Sequence, residues 1–466
     1  MTEDHKKPDS KLALMSALTL AGVQVMTVLT SVIVARVLGP VGKGQFGAAQ
    51  PWPMFFATFG LLGIRWSIAH KLGTQKERVA VLARIAFRLA IVFSIIWVVI
   101  GWFGLPYLLG EERRHIWAAS RLMLTVLPLT IMANCMIGLD YGLGRLDRQN
   151  LAAIVLQPMF LVALMVFWLT GRLSVITAVL SFMIANALVV TVRMAQYGKY
   201  LSGPVTIRTS EYIEVIRGGL WYLIPEIARS LLEHWDKFLV IYILGDADRG
   251  IYETALGAAF IASFVGGAAN NVTFSRAVVD QNPEAQKDFL RRMFKLSGPV
   301  YMGTALAATL GSPILLRIFY GSAYAPGMIP CAVMCWGVMF QNIADMTEYG
   351  LWGRKIVLPG VISRAIYGLA LSLVAIYLVK SLGMGIMGVA VAKVVGAAAF
   401  AVAMTLFCSR HYSLKWLDLW RWEFFESFRR VTGACVQMAD RFRLPVPGFV
   451  RAIGASKGGG GVRFLF

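Results

Sequence analysis

Apolar runs long enough to cross a bilayer recur along this chain, at positions 12–35, 46–64, 85–103, 116–139, 151–169 and 173–192, and again at 220–244, 251–274, 294–315, 328–346, 356–379 and 384–407. A hydrocarbon core of about 30 Å needs about 20 helical residues to span it. Backbone polar groups in lipid must be satisfied within the chain, which leaves helices or closed barrels. A barrel would alternate polar and apolar residues over segments of about ten, and these runs are uninterrupted, so twelve transmembrane helices are expected. Composition agrees, with 58% hydrophobic and 15% charged residues over 466 positions. A mean hydropathy of +0.65 excludes an ordinary soluble domain. The charged residues 1–11 precede an apolar stretch too long for a cleaved signal, so the first helix is expected to be retained.

Lys and Arg are unevenly divided among the connections. One alternating set carries twenty-three of them, including Arg65, Lys71, Lys76 and Arg78, whereas the other carries nine. By the positive-inside rule the richer set is cytoplasmic, and so are both termini. The net charge of +20 suits anchoring at an anionic leaflet and an anionic substrate; nucleic acid is not the expected partner. Residues 416–430 form a Trp-rich basic stretch that reads as an amphipathic segment on the inner surface or as a partly disordered tail.

The sequence also repeats itself. Residues 35–46, with Leu38-Gly39 and Gly44, align with 241–252, with Leu244-Gly245 and Gly250, at an offset of 206. Asp140-Tyr141-Gly142-Leu143 aligns with Glu348-Tyr349-Gly350-Leu351 at 208, and Arg65 with Arg276 at 211. Near-constant offsets at equivalent points of a six-helix half indicate a 6+6 duplication. An even number of spans per half makes the repeats parallel, related by an axis along the membrane normal. The expected fold is an all-α integral membrane protein of twelve helices in two six-helix parallel repeats, a V-shaped alternating-access bundle. Its domains are expected at 1–200, 201–410 and a tail at 411–466, and a monomer is expected.

Ionisable residues inside spans are expensive and must face protein or water. The seventh span holds Glu226, Arg229, Glu233, His234, Asp236 and Lys237, of which Glu226, Arg229, Glu233 and Lys237 recur every three or four residues. One helical face could thus present acids and bases together. The basic groups would line a cavity for an anionic head group, and Glu226, Glu233 or Asp236 would balance charge or bind a coupling proton or sodium. The same stripe also fits a static ion-pair ladder. Lys393 lies in mid-span without an acid near it in sequence. Arg36, Arg65 and Arg276 end spans, where a guanidinium offers a fork suited to diphosphate. Asp140, Arg145, Glu348 and Arg354 are candidate gate residues between the bundles.

Other motifs carry no chemistry here. Gly42-Lys43-Gly44-Gln45-Phe46-Gly47 fits a dinucleotide fingerprint by spacing, but no strand precedes it. Asn271-Val272-Thr273 fits a glycosylation acceptor on the wrong side of the membrane. The five cysteines read as structural, without a metal or disulfide pattern. No catalytic motif supports covalent catalysis or ATP drive, so a non-enzyme without cofactor or metal is expected.

The segment Ala35-Arg36-Val37-Leu38-Gly39-Pro40-Val41-Gly42-Lys43-Gly44-Gln45-Phe46 resembles the first loop, ARxLGPxGxGxF, of the polysaccharide-export branch of the multidrug/oligosaccharidyl-lipid/polysaccharide flippase superfamily. The stretch from Asp236-Lys237 to Gly250-Ile251-Tyr252 is similar to the start of that family's second half. The resemblance implies a carrier of the O-antigen flippase kind in the bacterial inner membrane. It would move an undecaprenyl-diphosphate-linked oligosaccharide from the inner to the outer leaflet for polysaccharide biosynthesis. By location, Arg36, Arg65, Arg229, Lys237, Arg276 and Lys393 would bind the substrate. Membrane lipids, a polysaccharide polymerase and a chain-length regulator are the expected partners, and net transport would be biased either by proton or sodium binding at Glu226, Glu233 or Asp236 or by removal of product in the periplasm. The competing readings are a cation-coupled multidrug exporter and a non-transporting scaffold for polysaccharide assembly enzymes.

Overall fold

The computed structural model describes residues 9–202, 204–263, 266, 269–270, 273, 283–352, 356–424, 427 and 429. Every regular element among them is helical. The first half comprises α1 (Asp9–Ala49), α2 (Pro51–Gly60), α3 (Ile64–Thr74), α4 (Val79–Leu109), α5 (Arg114–Leu124), α6 (Leu127–Leu143), α7 (Leu146–Leu169) and α8 (Val175–Leu201). The second comprises α9 (Thr209–Glu233), α10 (Trp235–Ile243), α11 (Asp246–Ala259), α12 (Pro283–Leu315), α13 (Met328–Trp352), α14 (Leu358–Ile376), α15 (Gly385–His411) and the short α16 (Trp416–Leu419).

Seven helical stretches among the described residues are long and apolar enough to cross a membrane. The pair Glu111–Leu124 and Leu127–Leu143, bent by 40°, makes an eighth. One of the seven, Val25–Gly60, covers parts of the first two expected spans. Of the expected spans not among these, 151–169 is represented by the shorter apolar helix Ile154–Leu169, 220–244 carries the ionisable residues and breaks at His234, and 251–274 lies partly outside the described residues. The apolar residues left exposed form helical stripes. On α4, Ile91, Ile95, Val99 and Phe103 are exposed, and on α14 Ile362, Ile366, Leu369 and Leu373. Spacing of three and four places each set on one face, the face that hydrocarbon covers.

The expected loop at 36–45 is a kink instead. Gly39 takes φ 66° and ψ −179°, a conformation that costs glycine little, and Pro40 restarts the helix where its fixed φ and missing N–H are tolerated. The restarted segment of α1 crosses α11 closely and reciprocally. A Cβ on Gly44 would lie 1.9 Å from the Asp246 carbonyl oxygen, and one on Gly250 would lie 1.9 Å from that of Pro40. Gly44 corresponds to Gly250 and Pro40 to Asp246 at the repeat offset, so each contact is the image of the other under a two-fold operation. In lipid, close backbone packing replaces the hydrophobic drive between helices. The halves meet along two principal seams, α1 with α11, and α2 and α3 with α9.

Part of the basic tail segment packs on the bundle. Trp416 Nε1 donates to Thr405 Oγ1 at 2.9 Å on α15, and Lys295 Nζ of α12 meets Glu423 at 2.6 Å. Trp422 covers Gly298, where a Cβ would fall 2.4 Å from its indole. Residues 430–466 lie outside the described residues.

Candidate functional site

The α3–α9 seam brings together the charges with the clearest functional geometry. Glu226 sits one residue after Pro225 on α9, and its Oε1 accepts from Arg65 Nη2 of α3 at 2.9 Å and from Arg229 Nη2 at 3.3 Å. Its Oε2 accepts from Trp66 Nε1 at 3.0 Å. Arg65 also donates to Asn134 Oδ1 of α6 at 2.9 Å and lies 4.6 Å from the Trp66 ring. Arg229 lies 5.8 Å from the Trp352 ring of α13. The side chains of Arg65, Glu226 and Arg229 retain 13%, 10% and 24% exposure, so the cluster is screened without being sealed. A close approach makes it possible: a Cβ on Gly63 would fall 2.1 Å from the Gly219 carbonyl oxygen. Chemically, two guanidinium groups and an indole N–H converge on one anion, a carboxylate of the chain itself.

The rest of the seventh-span stripe does not join this cluster. The turn at His234 ends α9 and starts α10, which re-aims every later side chain. Asp236 thereby points into the second half, where its Oδ2 accepts from Lys393 Nζ of α15 at 2.6 Å and from Tyr252 OH of α11 at 2.8 Å. Asp236 and Lys393 are each 1% exposed. The unpaired mid-span lysine of the sequence is therefore a buried ion-pair partner. Lys237 is half-buried, within electrostatic reach of Asp236, Glu253 and Lys43. Glu233 ends α9; its side chain lies outside what is described.

Lys43 and Glu253 are not among the site residues expected from sequence, because each reads there as a loop or helix-start charge. Lys43 is buried and donates to Ser31 Oγ at 3.2 Å. Glu253 packs its carboxylate on Gly47, where a Cβ would be 1.8 Å away. The repeat offset was the available signal, since it pairs Gly47 with Glu253 and Lys43 with Arg249.

Asp140 and Glu348 do not bridge the halves. Asp140 is fully buried within the first half, accepting from Arg193 and Tyr197 of α8. Glu348 turns into the second half, accepting from Arg364 Nε of α14 at 3.0 and 3.1 Å, with Asp345 also on Arg364 at 3.1 Å. Each acid meets a base of its own half, Asp140 of α6 on α8 and Glu348 of α13 on α14. Arg145 is half-buried at the start of α7. Arg276 and Arg354 lie outside the described residues.

Besides Arg65 with Glu226, and Thr58 Oγ1 with Ser230 Oγ at 2.6 Å, polar contacts between the halves lie at both ends of the seams. At one end Arg36 Nε donates to the Phe319 carbonyl at 2.6 Å, Tyr324 OH to Ala35 O at 2.9 Å, and Arg113 Nε to Ile241 O at 2.8 Å. Asp246 accepts from Gln45 at 3.1 Å and meets His115 at 2.7 Å. Arg36 thus belongs to this rim, apart from the Arg65 cluster. At the opposite end Arg78 pairs with Glu211 and Lys71 with Glu214. The Lys71 ammonium, donating to Glu214, holds that exposed carboxyl below the usual carboxylate range. Among the described residues no group of acids, histidines and cysteines could hold a metal ion.

The fold is that of known transporters. The chain is similar to a multidrug resistance MATE family transporter of the MOP superfamily in an inward-facing conformation, at TM-score 0.71 and 14% identity over 85% of this chain and 98% of that one. It is similar to the lipid II flippase MurJ in an inward closed conformation, at 0.70 and 13% over 95% and 96%. An outward-facing MATE structure gives 0.62 and 15% over 87% and 95%. No curated protein matches the sequence. Residues 13–274, more than half of the chain, match the family described as polysaccharide biosynthesis protein, and the chain belongs to that family.

Proposed function

We propose that this protein is a flippase carrying a polyprenyl-diphosphate-linked oligosaccharide, of the undecaprenyl kind, from the inner to the outer leaflet of a bacterial inner membrane for polysaccharide synthesis. The observation that carries the reading is Glu226 held by Arg65, Arg229 and Trp66 where the two halves meet. A diphosphate offers the same guanidinium fork more oxygens and more charge than one carboxylate does. In this reading Glu226 stands where the diphosphate binds in the loaded carrier. Sugar hydroxyls and phosphates lose many kcal/mol of hydration in hydrocarbon, and replacing their water by fixed donors lowers that barrier.

Displacement also supplies a coupling mechanism. Asp236 already has Lys393, whereas Glu226 loses both counter-charges when the diphosphate takes them. A carboxylate left so in a screened site favours neutralisation by a proton or a sodium ion. Residues 1–200 and 201–410 are taken as the two moving bundles, both termini as cytoplasmic, and a polymerase and a chain-length regulator as downstream partners. The α1–α11 rim, sealed by Arg36, Arg113 and Tyr324, is then the periplasmic end, and rocking must open it.

The test is translocation of a fluorescent polyprenyl-diphosphate oligosaccharide by the full chain in liposomes. Arg65→Gln and Arg229→Gln are expected to abolish transport while folded protein stays near normal. Transport that persists in both variants, or a wild-type chain that moves none of the lipid, sinks the reading.

A further inference from the structure

The two ends of the internal repeat that carry Tyr-Gly-Leu place one tyrosine each beside the Arg65 cluster. Asp140 and Glu348 are turned into their own halves by Arg193 and Arg364. The next residue along a helix lies about 100° round, so these buried pairs fix the rotation at which Tyr141 and Tyr349 leave the helix. Both tyrosines lie within electrostatic reach of the Arg65 guanidinium, although they come from opposite repeats. Tyr141 is 38% exposed and stacks on Trp66, with centroids 5.9 Å apart and planes at 12°. Tyr349 packs on Trp352 at 6.1 Å. Arg65 lies over Trp66 and Arg229 over Trp352, so each aromatic pair is stiffened by one of the two arginines. The buried Trp352 Nε1 has no hydrogen-bond partner among the described residues.

We propose that Tyr141 and Tyr349, backed by Trp66 and Trp352, form a two-sided clamp for the sugar ring next to the diphosphate. This rests on the function proposed above and adds to it the recognition of the glycan. A pyranose has an apolar face of C–H groups, which suits an aromatic ring, and a rim of hydroxyls, which suits phenol and indole polar atoms. Arginines alone recognise the diphosphate whether or not a sugar follows. The aromatic pairs give the carrier a way to distinguish a finished lipid-linked glycan from the bare lipid diphosphate.

The experiment measures binding of two probes to the full chain in nanodiscs: a polyprenyl diphosphate bearing a saccharide and its sugar-free parent. The double variant Tyr141→Leu/Tyr349→Leu is expected to bind the glycosylated probe about tenfold more weakly, the size of one strong aromatic contact, with the sugar-free probe unchanged. Tyr141→Phe/Tyr349→Phe should restore most of the loss. Equal weakening toward both probes, or no weakening toward either, overturns the clamp and leaves the anion site standing. A wild-type chain that binds neither probe overturns the anion site and the clamp with it.

Discussion

Removing one partner of the Asp236–Lys393 pair is the sharpest test of which charges serve transport and which hold the fold. At the observed 2.6 Å, attraction in an effective dielectric of about 20 is about 6 kcal/mol. The cost of taking two ions out of water is several kcal/mol for each, so the intact pair is close to neutral for stability. Lys393→Met changes that balance. It leaves Asp236, 1% exposed, with the Tyr252 hydroxyl as its hydrogen-bond donor and only the charge of the neighbouring Lys237, and should cost about 3–5 kcal/mol. Asp236→Asn/Lys393→Met removes both charges, keeps the Tyr252 contact, and should recover most of the loss. The assay is the thermal midpoint followed by tryptophan fluorescence in detergent, using the 13 tryptophans, alongside liposome transport. A Lys393→Met variant with an unchanged midpoint and abolished transport refutes the reasoning, because it makes Lys393 a substrate ligand.

Two further outcomes follow from the geometry. Gly44→Ala and Gly250→Ala each drive a methyl into the opposing backbone at the α1–α11 crossing, and each should cost about 1–3 kcal/mol by overpacking. The two losses should be similar, since the contacts are symmetric images; a loss at one site only in thermal unfolding contradicts the two-fold relation. Glu214 has its carboxyl held below the ordinary value by Lys71, so the contact is fully present above the unfolded carboxylate value of about 4.3 and is lost as pH falls through the lower folded value. Spin labels at positions 75 and 210 should separate only in acid, and separation at neutral pH would count against that contact.

Much of the architecture was legible from one-dimensional features. Span length and the repeat offset pointed to twelve helices in two parallel halves, and the Gly44 and Gly250 positions that align in sequence are the ones that touch across the two-fold relation. The site was less legible. Spacing of three and four placed Glu226, Arg229, Glu233 and Lys237 on one face, but that assumes an unbroken helix, and the turn at His234 separates the later residues from the earlier. Lys393 looked unpaired because its acid is 157 residues away. Asp140 and Glu348 looked like gate charges because sequence shows their neighbours in the loop and hides the helix that packs behind them.

What the sequence determined by itself is that the chain enters a membrane as helices and doubles a six-helix unit. Hydrophobic length and self-similarity are properties of the string, and lipid enforces the first wherever the helices later pack. Which cation meets which anion was decided only in the tertiary structure. In the folded chain a single backbone turn or the angle of a crossing helix redirects a side chain from the shared seam to a dry interior, and a buried charge must take whichever partner that direction offers.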